Sequence, residues 1–159
     1  MSPLGLLLLV PALVGMPLPT GHPFSARARG AAEDVIAAVE TPEDGIPALE
    51  RATWARRAFI WGYYESAFTT AASGDGGASC GVLQVTTPER WLTGATCARV
   101  KADRVLGFRV GITVMRMLVT KCGSVRAGLT AYATDGACHP WTLALVERRL
   151  RMELEAPKP

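Results

Sequence analysis

Glu65 is the residue of this 159-residue chain that is best placed for acid catalysis. It ends the aromatic run Trp61-Gly62-Tyr63-Tyr64 and is followed by Ser66. A carboxyl among aromatic side chains loses hydration, which raises its pKa, and a carboxyl protonated near neutral pH can act as a general acid. The alternative is an ordinary surface acid at a helix C-terminus, a place where the helix dipole disfavours negative charge. We therefore predict a catalytic role for Glu65.

Further polar residues follow at intervals along the chain. Ser73 and Asp75 lie in a stretch of glycine, serine and alanine, which is typical of a loop. Gln84 comes next, inside the short apolar run Gly81-Val82-Leu83-Gln84-Val85, which suits either a strand or a turn. Tyr132 closes the later segment that begins at Gly128.

Read in order, these segments resemble the signatures of the lytic transglycosylase and goose-type lysozyme superfamily. The matching residues are Glu65-Ser66, Phe68, Ala72-Ser73, Gly77-Ala78, Gly81-Val82-Leu83-Gln84 and Gly128-Leu129-Thr130-Ala131-Tyr132. One departure is visible, because Ala133 stands where the family carries an asparagine. The resemblance covers the chain from Pro47 to Cys138.

The resemblance implies a lysozyme-like fold and cleavage of the β-1,4 bond between N-acetylmuramic acid and N-acetylglucosamine in peptidoglycan. Glu65 would protonate the glycosidic oxygen and then accept the proton of the sugar's own 6-hydroxyl, which gives a 1,6-anhydro product without water. Ser73 and Gln84 would hydrogen-bond the sugar or its acetamido group. Tyr132 would place its hydroxyl near Glu65 and orient it. Neither a metal nor a cofactor is expected in such a site.

Three alternatives stay open. A goose-type hydrolase would use a second acid, for which Asp75 is the first choice by position and Asp135 the next. A catalytically inactive, wall-binding protein of the same fold is compatible with Ala133. A small basic helical protein that binds nucleic acid is the third, although the sequence holds no zinc-finger, helix-turn-helix or aromatic RNA-binding signature.

The charge of the chain is unevenly distributed around a net charge of +3. Ala31 to Glu50 holds six acids and no base, whereas Arg90 to Arg126 holds eight bases and one acid. Such a basic segment suits an anionic polymer, and cell-wall glycan with its peptide carboxylates is one. Solvated helix faces without a partner are the other interpretation.

Four cysteines indicate two disulfides. They are Cys80, Cys97, Cys122 and Cys138, and they allow three pairings. Pairing of neighbours, Cys80 with Cys97 and Cys122 with Cys138, closes two loops of similar size, each worth about 3 kcal/mol on a chain-entropy estimate. Structural zinc is disfavoured because no C-x-x-C pair is present.

The first 28 residues have the character of a secretory signal peptide. Leu4 to Leu18 is mostly apolar, and Ala26-Arg27-Ala28 is a small-x-small cleavage site. The apolar run is too short for a stable membrane span, and it lacks a preceding Lys or Arg. We predict a secreted or periplasmic monomer.

The remaining residues, 31–155, are predicted to form one mainly α domain with at most a small β-hairpin. Short helical periodicity covers 31–39, and a longer amphipathic helix runs from Pro47 to Glu65. Asp103 should cap a long helix that reaches Lys121, and Ser124 should cap a shorter one. Pro140 should open a final, arginine-rich helix from Trp141 to Leu154.

Overall fold

The computed structural model describes residues 9–15 and 26–155, and this part of the chain is mainly helical. Its helices are α1 (Leu9–Val14), α2 (Ala26–Glu40), α3 (Arg51–Ser66), α4 (Cys97–Ala102), α5 (Arg104–Cys122), α6 (Val125–Tyr132) and α7 (Ala144–Glu155). Its strands are β1 (Ser73–Gly74), β2 (Ser79–Cys80) and β3 (Val85–Thr86). Single 3-10 turns cover Pro42–Asp44, Asp75–Gly77 and Pro88–Arg90. The prediction of a mainly α domain is confirmed.

Helix α5 packs against α2, α3 and α6, and its apolar side chains fill the centre of the core. The largest of these, Phe108, Ile112 and Met115, are almost completely buried. The Asp103 carboxylate accepts the Leu106 N–H at 3.0 Å, so the predicted N-cap is confirmed. The Ser124 hydroxyl caps α6 in the same way by accepting the Ala127 N–H.

Helix α3 carries the predicted catalytic acid near its C-terminus. Its core face includes Phe59, Ile60 and Trp61, which are fully buried. The helix begins at Arg51 rather than at Pro47. A tight turn precedes it, in which the Glu50 N–H donates to the Pro47 carbonyl at 2.8 Å, and the exposed residues 47–50 lack the packing that would extend the helix.

The three strands form one small antiparallel sheet in the order β1-β2-β3. Ser73 lies opposite Cys80, and Cys80 lies opposite Val85. The prediction allowed a single hairpin, and the third strand adds a second one. Each strand is only two residues long because glycines and left-handed residues interrupt the segment.

Both predicted disulfides, Cys80–Cys97 and Cys122–Cys138, are present. The first ties β2 to the start of α4, and the second ties the end of α5 to the loop after α6. Disulfides persist in oxidising surroundings, so the pair is consistent with an extracellular or periplasmic location.

Ion pairs join the acidic and basic segments to each other. Arg104 of α5 contacts Asp34 of α2 at 2.6 Å, and Arg109 binds Asp44 through two nitrogens at 2.8 and 2.9 Å. Arg116 donates to the backbone carbonyls of Asp44 and Gly45. Much of the basic character of 90–126 therefore serves internal packing.

The final helix begins at Ala144, three residues after the predicted start at Trp141. The His139 ring stacks on Trp141 with centroids 4.5 Å apart, and the Leu143 N–H donates to Thr130 Oγ1. These contacts hold residues 139–143 against α6 in a non-helical conformation.

The predicted signal peptide lies mostly outside the described residues, since 1–8 and 16–25 are not among them. Within it, α1 packs against α2 and α3, and Leu13 is fully buried. The predicted cleavage site falls in the first turn of α2, where Ala28 is buried. The signal thus stays a prediction. None of the described helices combines the length and the hydropathy that crossing a bilayer requires.

Candidate active site at the end of helix α3

The three segments that carry the family resemblance meet at one turn, Gly81–Gln84. Ser66 Oγ, at the end of α3, lies 2.9 Å from the Val82 carbonyl oxygen, to which it donates. Tyr132 OH, at the end of α6, donates to the next carbonyl, that of Leu83, at 2.7 Å. Residues far apart in the chain are thereby joined through consecutive peptide groups.

Glycines on two helices make room for this turn. A Cβ at Gly111 of α5 would lie 2.2 Å from Leu83 Cδ1, which is closer than any real contact. At Gly107 a Cβ would lie 3.2 Å from Val82 Cγ1, and at Gly62 of α3 it would lie 3.2 Å from Val82 Cγ2. The turn therefore lies in a notch that requires glycine at position 111 and leaves little space for a larger residue at positions 107 and 62.

Gln84 is fixed within the same turn. Its backbone is left-handed, with φ of 49°, and its side-chain Nε2 donates to the Gly81 carbonyl at 2.8 Å. The Oε1 atom lies 2.8 Å from the point a Cβ of Gly74 would occupy. Ser73, the other predicted sugar-binding residue, is exposed on β1.

The segment around this turn is conformationally strained. Among the described residues, the non-glycine residues with positive φ are Ala67, Phe68, Asp75, Gln84 and Thr87. All five lie between the end of α3 and the 3-10 turn after β3. Such conformations cost about 1 kcal/mol or more each and persist only where surrounding contacts impose them, and they often occur at functional sites.

The Glu65 carboxyl is held by an arginine of the last helix. Arg149 NH1 donates to Glu65 Oε1 at 2.6 Å. The Arg149 guanidinium also lies over the rings of Trp61 and Tyr64, 4.9 Å from each centroid. Glu65 is the second-last residue of α3, where the helix dipole disfavours an anion, so a cation at this point is stabilising. The acid keeps 26% of its side chain exposed and is reachable from solvent.

Tyr132 lies in the electrostatic field of the same pair. Burial raises the pKa of its hydroxyl, the Glu65 charge raises it further, and Arg149 partly opposes both effects. The hydroxyl proton is directed to the Leu83 carbonyl rather than to Glu65. Tyr132 thus anchors the turn, and its influence on Glu65 is through charge.

A groove of about 270 Å³ lies beside Tyr132 and the Gly81–Gln84 turn. Gln84 and Tyr132 line it together with Asp135, Arg90 and Trp91. Glu65 and Ser73 are not among its lining residues. The structure thus places two predicted binding residues on one groove, and the predicted acid lies outside its lining, next to Ser66, which bonds to the turn.

The two candidate second acids differ in their surroundings. Asp75 is exposed and accepts a 2.7 Å hydrogen bond from Ser79 Oγ, which also bonds to Thr86 Oγ1, so it supports the small sheet. Asp135 lines the groove. The pKa of Asp135 is lowered by the Ala137 N–H and by His139, whose Nε2 lies 3.0 Å from Oδ1. Asp135 is therefore the acid that faces the same space as Gln84.

Arg149 is the site residue that sequence reasoning missed. It is separated from Glu65 by 84 positions, and no motif includes it. The indication in the sequence was indirect: the final helix is rich in arginine, and any of these arginines could pair with an acid of another helix. In the described part of the chain, no three His, Cys, Asp or Glu side chains are grouped as a metal site would require.

No protein-family model, curated protein or solved structure matches the chain. The geometry of the site and the motif resemblance are therefore the indications of function.

Proposed function

We propose that this chain is a peptidoglycan-cleaving lytic transglycosylase with Glu65 as its single catalytic acid. One observation carries the proposal, namely that Ser66 and Tyr132 bind consecutive carbonyls of the Gly81–Gln84 turn. Three motifs that resemble the superfamily in sequence order are in this way brought to one place in the fold.

In the first step, Glu65 acts as general acid. In its protonated form it transfers the proton to the oxygen of the glycosidic bond, the bond from that oxygen to C1 breaks, and the electron pair leaves with the oxygen. General-acid catalysis of this kind contributes about 10²–10⁴-fold to rate. The substrate's acetamido group stabilises the positive charge at C1, as in substrate-assisted glycosidases.

In the second step, the Glu65 carboxylate acts as general base. It removes the proton of the muramic acid 6-hydroxyl, and the freed oxygen forms a bond to C1. The product is a 1,6-anhydro sugar, Glu65 regains its proton, and water is neither consumed nor released. The groove beside Gln84 and Tyr132 would hold neighbouring sugars of the strand, with Trp91 as an apolar surface.

A goose-type hydrolase is the second candidate, and the position of Asp135 favours it. Asp135 lines the groove as a carboxylate, the form that can act as a general base for water, although its lowered pKa makes it a weaker base than an ordinary aspartate. The second acid of such a hydrolase would be Asp135 rather than Asp75.

The test compares Glu65→Gln, Asp135→Asn and Asp75→Asn on purified, insoluble cell walls. We expect Glu65→Gln to lose about 10²–10⁴-fold in rate because an amide cannot donate the proton, and both aspartate variants to stay near wild type. Mass spectrometry of the products should show anhydromuramyl ends, lighter by one water than hydrolytic ends. Hydrolytic ends with equal losses in Glu65→Gln and Asp135→Asn would establish the hydrolase. Full activity of Glu65→Gln would refute both candidates.

A further inference from the structure

The environment of Arg149 is unusual for a surface helix. Its guanidinium is almost fully buried and lies over two aromatic faces, those of Trp61 and Tyr64. One guanidinium nitrogen, NH1, donates the 2.6 Å hydrogen bond to Glu65. Tyr64 is itself held to α7, because its hydroxyl lies 3.2 Å from Met152 Sδ. The rings fix the guanidinium in place, and its hydrogen bond is directed at an acid that solvent reaches.

A second arginine–glutamate pair joins the same two helices and provides an internal reference. Arg57 of α3 binds Glu153 of α7 through two nitrogens, at 3.0 and 2.7 Å. Arg57 also lies over an aromatic face, that of Trp54, at 4.5 Å. Here the acid retains only 11% exposure, against 26% for Glu65. The Arg57–Glu153 pair has the geometry of a closed structural contact, whereas the Glu65 pair leaves its acid accessible.

We infer that Arg149 is a positioning residue for the catalytic carboxyl of Glu65, an inference that rests on the proposed function. With Oε1 occupied by Arg149 NH1, Oε2 is the oxygen that carries the proton to the glycosidic bond. As that proton leaves, negative charge develops on the carboxyl, and a pre-oriented guanidinium stabilises it without further reorganisation. The same contact keeps the carboxylate in place for the second step, in which it receives the 6-hydroxyl proton.

The experiment measures kcat and KM of Arg149→Met and Arg149→Lys on soluble, uncrosslinked glycan strands, with Arg57→Met and Arg57→Lys as matched controls. Methionine keeps the unbranched apolar stem of arginine in both places and removes the guanidinium. We expect Arg149→Met to lower kcat by about 10²-fold with KM nearly unchanged, since a small displacement of a catalytic group has effects of that size. Arg149→Lys should recover part of the loss because it keeps the charge. The Arg57 variants should be less stable than wild type, with wild-type kcat in the folded fraction.

The outcomes separate the two claims. Wild-type kcat in folded Arg149→Met, or equal kcat losses in the Arg57 and Arg149 variants, overturns the positioning role and leaves the proposed function intact. If Arg149→Met does not fold, Arg149→Lys decides the question, because a lysine cannot reproduce the guanidinium geometry. A wild-type kcat and an unchanged product in Arg149→Lys would then overturn the positioning role. A wild-type protein that cleaves no glycan overturns the proposed function, and the positioning role with it.

Discussion

The two ends of the α3–α7 interface use the same residue types in opposite arrangements. At one end the arginine belongs to α3 and the acid, Glu153, to α7; at the other end the acid, Glu65, belongs to α3 and the arginine to α7. The first pair is bidentate and almost fully buried, and the second is held through one arginine nitrogen, with an acid that is partly exposed. A buried arginine–glutamate pair therefore does not by itself distinguish a structural role from a catalytic one. The exposure and the neighbours of the acid make that distinction.

The largest expected difference between the two ends is that Glu153→Gln mainly loses stability, whereas Glu65→Gln mainly loses activity. Glu153→Gln leaves Arg57 buried and charged without its anion, and breaking such a pair costs about 3 kcal/mol or more in the free energy of unfolding. Glu65→Gln also leaves a buried arginine without its anion, but it should cost less, because this acid is more solvated and is contacted by one arginine nitrogen rather than two. Urea unfolding measures both values, and wall digestion measures activity. A larger stability loss in Glu65→Gln than in Glu153→Gln would reverse the comparison.

The next largest effect concerns the Gly81–Gln84 turn, which lies at the Glu65 end of the interface. Gly111→Ala places a Cβ against Leu83, and overpacking of this kind costs about 1–3 kcal/mol. Since the displaced turn carries Gln84, activity should fall as well. Gly30→Ala in α2 is the control, because its Cβ would meet only the end of the flexible Arg104 side chain. We expect Gly30→Ala to be close to neutral, because the gain in helix propensity is opposed by a shift of the Arg104 side chain, which pairs with Asp34. Thermal unfolding of both variants measures the difference in stability. Equal destabilisation of Gly111→Ala and Gly30→Ala would contradict the prediction.

The smallest effect concerns a carboxylate outside both pairs. The pKa of Asp135 is depressed in the folded state by the Ala137 N–H and His139. A depressed acid contributes stability above its unfolded pKa, and the contribution disappears as pH falls through the folded pKa. Asp135→Asn should therefore lower Tm slightly at pH 7 and leave it unchanged in strong acid. A difference in Tm that persists at low pH would show that the contribution of Asp135 is not one of charge.

Local patterns predicted much of the fold. The caps at Asp103 and Ser124 and the pairing of neighbouring cysteines all depend on residues close in sequence, and each is confirmed. Helix starts were less predictable, because α3 and α7 begin where packing starts rather than at Pro47 or Trp141.

The site was predictable only as far as its motifs extend. Glu65, Gln84 and Tyr132 are predicted as site residues because each lies in a recognisable segment, and their functional roles stay predictions. Arg149 and the notch at Gly111 were not, because both depend on which helix face turns towards the motif residues. Tyr132 illustrates the limit: its place in the site was predictable, but its partner, a backbone carbonyl, was not.

The five left-handed residues between Ala67 and Thr87 have a consequence for how this protein can change over evolutionary time. Loops ordinarily accept insertions and substitutions more readily than helices do. Here each left-handed residue fixes the direction of the chain, and the Gly81–Gln84 turn packs closely against Gly111. An insertion in this loop would therefore move the turn out of its place against α5. We expect related sequences to preserve the length of this loop while the outer faces of the helices diverge.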